Sequence, residues 1–277
     1  MFDAVIDHIW TSTLMALKFL GYMTYVFFTI ALLAKGRKVF ADMRAALPEA
    51  RINLGIYSLD LLFLSPILVP LPGLIERAVA SSPLQVVTAD FWNGLPEAVT
   101  LLAVLLLGDL IGYVRHRIEH WGPIWPAHAV HHSDTRMTWL TLLRFHPLSR
   151  AAGVAFDVFF LAVLGFPAWA VIFFSLVRFF YGSFTHMDLP WTYGPLRGVL
   201  VSPAMHRWHH VLDGPGVGKN FAAMFAFYDR LGGTYYMPGR CDVPLGVTED
   251  MGRGAIGQIL HPFKVWGRAL FGQRGAG

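Results

Sequence analysis

The sequence predicts an all-α, polytopic membrane helix bundle of four to five spans with a histidine-rich cap, and three observations predict it. Of 277 residues, 55% are hydrophobic and only 14% charged, against roughly 25% charged in an average soluble domain; the mean hydropathy is +0.49. The apolar residues gather into runs near the ~20 residues that a spanning helix needs. Ten of the twelve histidines fall between positions 116 and 210, mostly just beyond the ends of such runs.

Residues 10–34 form the first run. The stretch MFDAVIDHIW carries Asp3 and Asp7 and lacks the basic start of a secretory signal, so the run is expected to persist as a span. Residues 53–75 and 97–115 are the second and third spans. A pair at about 151–164 and 168–185, broken by Gly165, Phe166 and Pro167, reads as a tight helical hairpin whose ends emerge on one side. Near the C-terminus, Ile259, Phe263, Trp266 and Leu270 recur at helical spacing beside Lys264 and Arg268. They form a candidate interfacial helix, weakened by Pro262, with a disordered tail as the alternative.

Charge bias sets the expected orientation. The segment after the first span holds Lys35, Arg37, Lys38, Arg44 and Arg51 against Asp42 and Glu49; the one after the second holds Arg77 against Glu76 and Asp90. By the positive-inside rule the first segment is cytoplasmic. Counting crossings puts His116 to His210 and the C-terminus on that side too, in an inner or plasma membrane. No internal repeat, low-complexity segment or long linker divides the chain, so residues 1–277 are expected to form a single integral membrane domain.

A net charge of +4 comes without a basic stripe interleaved with aromatics, which argues against nucleic acid as a partner; the basic residues flank apolar runs, as anionic headgroups favour. Cys241 is the one cysteine, which excludes an intramolecular disulfide and a cysteine-based zinc site.

Spacing explains the histidines. His116 and His120 lie four apart at the end of the third span, on one helical face. His128, His131 and His132 form an H-x-x-H-H set, and His206, His209 and His210 repeat it in MHRWHH. In such a set the first ring shares a face with each of the other two, while the adjacent pair diverges by about 100° on a helix. Neighbouring rings can therefore serve two different ions. Eight imidazoles exceed the needs of one four-coordinate zinc and suit two nitrogen-preferring ions with open positions, iron above all. Isolated His8 and His261 are given no role. Residues 116–120 also spell H-x-x-E-H, which offers a zinc peptidase with Glu119 as base as the rival reading, although that would leave the triplets without a purpose.

The order Asp109-x-x-x-Tyr113-x-x-His116-Arg117-x-x-His120, then LRFHP, MHRWHH and KNFAAMFAFYDRLGGTYYMP, resembles the fatty acid hydroxylase/sterol desaturase superfamily over about residues 100–240. This chain has the short H-x-x-x-H form of the first motif, where some relatives have one more residue. The resemblance implies a non-haem di-iron membrane oxidoreductase using O2, with two Fe ions held by the eight motif histidines. It also implies a lipid substrate (fatty acyl or sterol-like) and hydroxylation, with desaturation on the same site as the alternative. His186, in FTHMDLP, stands where relatives place a further metal ligand. Asp109, a carboxylate within a span, is expected to hydrogen-bond a ligand histidine from behind. Asn220 and Asp229 are expected to shape the closing segment. His146 in RFHP is expected to form a structural turn, while Arg136 and Arg144 are basic residues at the interface that could meet lipid headgroups. With neither a nucleotide-binding fingerprint nor cysteines for an iron–sulfur cluster, electrons must come from a partner such as a ferredoxin with its reductase.

Overall fold

The computed structural model describes residues 2–272, with side chains from Trp10 onward except Ser12; His8 and the C-terminal Gly277 lie outside the described side chains and residues. Among the described residues the regular elements are helical, and extended pairing is limited to one antiparallel bridge between Val211 and Leu245. Four stretches are long and apolar enough to cross a membrane: Thr13–Lys35, Lys38–Ala80, Glu97–Glu119 and Ala168–Thr185. The chain forms two compact units that part between Leu47 and Pro48.

In the first unit, α1 (Phe2–Lys35) carries the first span. Gly36, at φ +58°, makes a two-residue turn possible, because a left-handed backbone costs glycine no Cβ clash. Helix α2 (Lys38–Leu59) follows at once. The basic segment after the first span is therefore helical from Lys38 onward. Asp42 explains why: it pairs with Lys35 across the turn and with Lys38 at 2.7 Å one helical turn away, an arrangement that supports a helix start.

In the second unit, the remainder of α2 runs into a π-helical turn, Asp60–Leu64, then α3 (Ser65–Leu68) and α4 (Leu71–Ala80). Pro66, Pro70 and Pro72 each lack a backbone N–H, so this second span is segmented rather than straight. Asp60 is buried, accepting from Arg150 and, at 3.1 Å, from Ser65. After α5 (Ala89–Asn93), the third span is α6 (Glu97–Glu119), followed by the short α7 (Trp125–His132) and a 3-10 turn at Trp139–Leu143.

The anticipated hairpin is α8 (Pro147–Val163) and α9 (Ala168–Thr185). His146 caps α8, its Nδ1 accepting from Leu148 N at 3.2 Å while Nε2–H donates to the Ile259 carbonyl at 3.0 Å. At the tip, Gly165 has φ +66° and lies so close to the Val87 carbonyl that a Cβ would fall 1.8 Å from that oxygen; only glycine fits. Phe166 beside it stacks on Trp92 at 4.2 Å. Helix α6 packs against both arms. Gly108 lets Phe174 of α9 approach, and Gly153 of α8 lies against Arg115 of α6.

Where these three helices meet, Asp157 of α8 accepts from Arg115 of α6 at 2.8 Å and from Arg178 of α9 at 2.6 Å. One carboxylate thus bridges two guanidinium groups between apolar helices, and Glu119, paired with Arg115 at 2.8 Å, supplies the second negative charge. Arg144, expected at the lipid interface, is instead 1% exposed. It donates to Glu49 at 2.6 Å, Asn53 at 3.2 Å and Gln258 at 3.1 Å, because burial obliges a guanidinium to find acceptors within the protein. Arg136 is exposed. The short α10 (Pro203–His209) and α11 (Phe227–Leu231) precede α12 (Gly254–Phe271). The tail is thus a helix that continues through Pro262 and packs on α7, leaving Ile256, Leu260, Phe263 and Leu270 exposed.

Asp157→Asn keeps the shape of the knot and removes its charge. It is expected to cost roughly 3–5 kcal/mol, as breaking a buried pair does, read as a lowered denaturation midpoint in detergent. An unchanged midpoint would show that the two arginines find other counter-charges.

Candidate metal centre

Four helix ends converge on one place. α6 brings His116 and His120 at its C-terminal turn, α7 brings His128, His131 and His132, α9 ends on His186, and α10 supplies His206, His209 and His210. Pro126 and Pro203 lie in the first turns of the two triplet helices, where proline's missing N–H is no loss. Ser202 caps α10 by accepting from Met205 N at 3.1 Å.

The nine imidazoles sort into two groups whose ligand atoms lie within 4.8 Å of one another: His116, His120, His128, His132 and His209; and His131, His186, His206 and His210. Each triplet gives its outer pair, four residues apart, to one group and its middle histidine to the other. His128 and His132 join the first group while His131 crosses to the second; His206 and His210 join the second while His209 crosses to the first. The divergence of adjacent side chains on a helix is what divides each triplet.

The rings meet through Nε2. In the first group, His116 faces His209 at 2.9 Å and His128 at 3.1 Å, and His132 faces His120 at 3.1 Å and His128 at 3.2 Å. In the second, His186 faces His131 at 3.1 Å and His206 at 3.0 Å, and His206 faces His210 at 3.2 Å. Backbone carbonyls fix the protonation of three rings, since a carbonyl only accepts. His116 Nδ1–H donates to Phe221 O at 2.8 Å, His209 Nδ1–H to Lys219 O at 2.6 Å, and His186 Nδ1–H to Gly182 O at 2.6 Å. A neutral imidazole with its proton on Nδ1 has only a lone pair on Nε2. His116 and His209 therefore point lone pairs at each other across 2.9 Å, a repulsive contact that a shared cation turns into ligation. The donor set fits two metal ions.

The carbonyls of Lys219 and Phe221 belong to a short segment that the sequence reading did not assign to the site. Asn220 between them takes φ +61° and is tied down on both sides, donating to Met205 O at 3.0 Å and Tyr236 O at 2.7 Å and accepting from Tyr236 N at 2.8 Å. Asp229 accepts from Phe221 N at 2.7 Å and Ala222 N at 3.0 Å. Asp109, expected to bond a ligand histidine, does not reach one. Its carboxylate accepts from Met224 N at 3.1 Å and Phe225 N at 2.8 Å, which leaves it anchoring the same segment from within the span. The sequence signal was the run KNF itself, whose middle residue tolerates the left-handed conformation.

Burial makes these rings neutral. The His120, His128, His131, His132, His206 and His210 imidazoles are pushed well below their ordinary range, first by desolvation and then by neighbouring rings. His186 and His209 fall to about 4, again through burial. Phe145 stacks on His131 at 4.4 Å, while Trp125 lies 5.0 Å from His120 and Phe221 5.6 Å from His116; together they wall the rings in apolar surface. Glu119, the base that the H-x-x-E-H reading requires, is paired with Arg115 at 2.8 Å and lies on the Nδ1 side of His128, away from its ligating edge. His146 and His261 stand apart from both groups, His261 contacting the Asp250 carbonyl through Nδ1 at 3.2 Å.

Comparison with known proteins adds a second line. The family described as fatty acid hydroxylase matches residues 101–234. The chain is 28% identical over 194 residues to the ornithine lipid hydroxylase OlsE of Rhizobium tropici, across 69% of this chain and 59% of that protein. It is 29% identical over 232 residues to the alkylglycerol monooxygenase of Danio rerio, across 80% of this chain and 49% of that protein. The human alkylglycerol monooxygenase is 28% identical over 165 residues, 58% of this chain and 36% of that protein. The chain thus spans about half the length of these curated relatives, and no solved structure matches it.

Acid should empty the centre. Because burial lowers these histidines in the folded protein below an unfolded value of roughly 6.5, their neutral, ligating form is secure above that pH, and folded stability falls as pH drops from there towards about 4. Metal content measured after equilibration across this window is expected to decline with it. Full retention at the acid end would contradict all-imidazole ligation.

Proposed function

From the match to the fatty acid hydroxylase family over residues 101–234 and the two histidine groups, we propose that the chain is a di-iron, O2-dependent hydroxylase of a membrane lipid. One observation carries the metal part of this reading: His116 and His209 have their Nδ1 protons committed to carbonyls while their Nε2 atoms face each other at 2.9 Å. Ligand chemistry favours iron over zinc, since the imidazoles are too numerous for one closed tetrahedral site and suit a metal with open positions. The relatives named for ornithine lipid hydroxylation and alkylglycerol monooxygenation support a lipid carrying an alkyl or acyl chain as substrate.

Two iron ions bound there would supply dioxygen reduction, taking two electrons from an external donor and two protons to place one oxygen atom in a C–H bond and release the other as water. The protein's share is arrangement. The carbonyls of Phe221, Lys219 and Gly182 keep the Nε2 lone pairs of His116, His209 and His186 turned inward. Phe145, Trp125 and Phe221 keep water from the rings. Because α6 and α9 both end at the centre, a lipid chain lying among their apolar faces approaches it from the bilayer. A ferredoxin with its reductase is the donor class this reading requires. The catalytic region lies within a single membrane domain, with the centre on the cytoplasmic side.

Cells expressing the protein under oxygen-18 gas should contain a lipid heavier by one labelled oxygen, and His206→Ala should abolish it while still inserting in the membrane. A lipid that has lost two hydrogens and gained no label would replace hydroxylation by desaturation; one zinc per chain would return the peptidase reading. For the topology, a reporter inserted after Lys38 is expected to read cytoplasmic and one near Ser82 the opposite side. Cytoplasmic signal at both would overturn the orientation.

A further inference from the structure

Among the described residues, the first histidine group has a carboxylate behind it, and the second has not been given one by the fold. His128 is buried, and its Nδ1 makes no hydrogen bond. Glu119, itself buried at the end of α6, lies beside that nitrogen with Oε2 at 3.6 Å, somewhat longer than a hydrogen bond. Its other oxygen is occupied: Oε1 accepts from Arg115 at 2.8 Å and from Ser149 at 3.3 Å. Arg115 in turn is held by Asp157, and Asp157 by Arg178. The chain of alternating charges Arg178, Asp157, Arg115 and Glu119 thus runs from the membrane helices to the back of one ligand histidine, and its last free acceptor is turned towards that ring's Nδ1.

We propose that Glu119 is a positioning residue that accepts the Nδ1 proton of His128 and so makes the two metal positions unequal. This rests on the two-metal reading above. An imidazole that donates to a carboxylate is a more basic ligand and is held in one tautomer. His186, in the second group, donates only to a neutral carbonyl. The first position therefore binds its ion under greater negative charge and holds it more tightly than it would without the carboxylate.

The test is metal retention by iron-loaded protein in detergent, titrated with a chelator and followed by metal analysis and by Mössbauer spectra of iron-57. Glu119→Gln preserves the shape and removes the charge. It is expected to release one of the two ions at roughly 10–100-fold lower chelator, the usual cost of losing such a partner, and to change the spectrum of one iron only. Glu119→Asp should give an intermediate loss at the same ion, and it carries the test should the Gln variant fail to insert. Asp157→Asn loosens Arg115 without touching His128 and should retain both ions, which separates positioning from mere packing. Simultaneous loss of both ions in Glu119→Gln, or unchanged retention of both, would overturn the proposal. Wild-type protein holding a single ion would overturn the two-metal reading instead, and Glu119 would then stand or fall on whether Glu119→Gln weakens that one ion.

Discussion

The constraint on which the rest depends is the convergence of uncharged nitrogen lone pairs in a site where seven of nine rings are buried and His116 and His120 half-buried. Imidazoles repel one another when their bare Nε2 atoms meet, so the polypeptide must hold them there by other means. It does so with groups that add no side-chain charge: the carbonyls of Lys219, Phe221 and Gly182 take the outer protons, Ser202 caps the helix of the second triplet, and Pro126 and Pro203 lie in the first turns of the two triplet helices. Nearly every polar device nearby serves this purpose at one remove. Asp229 and Asp109 hold the segment that offers the carbonyls, and Asn220 provides its sharp change of direction.

Much of the architecture is legible in the sequence because membrane spans and metal motifs are both short-range patterns. Run length finds α1, α6 and the α8–α9 hairpin, and i, i+4 spacing places His116 with His120 and divides each H-x-x-H-H set between two groups. What was hidden depends on distant parts of the chain. No local pattern tells whether Asp109 meets a histidine or the backbone of Met224 and Phe225, since that depends on how residues more than a hundred positions later fold back. Arg144 looked like an interfacial cation because Glu49, Asn53 and Gln258, which bury it, are remote in sequence. The charges after Gly36 indicate orientation but not local structure, which Asp42 supplies by turning two of them into helix supports.

Inside the second unit, two buried carboxylates among apolar helices sit in nearly closed sets. Asp157 between Arg115 and Arg178, and Asp134 accepting from Asn53 at 3.0 Å and Thr141 at 2.7 Å, each leave few acceptors unused. Such closure is demanded where neither lipid nor water can satisfy a charge. It also fixes the register of α6, α8 and α9, which apolar packing alone would leave free to slide. The Asp157 knot joins α6 and α9, the two long helices that deliver histidines at their ends.

The exchange of middle histidines between the two triplets also imposes an order in time. A nascent chain emerging from the ribosome presents His116, His120, His128 and His132 long before His209, and His131 and His186 before His206 and His210. When synthesis has passed residue 186, the first group has all but one of its rings, while the second has only two of its four. The order of the chain therefore completes both groups together: the seven-residue helix Pro203–His209, with His210 beside it, supplies the last ring of the first and the last two of the second, and the Lys219 and Phe221 carbonyls that fix His209 and His116 follow only after it.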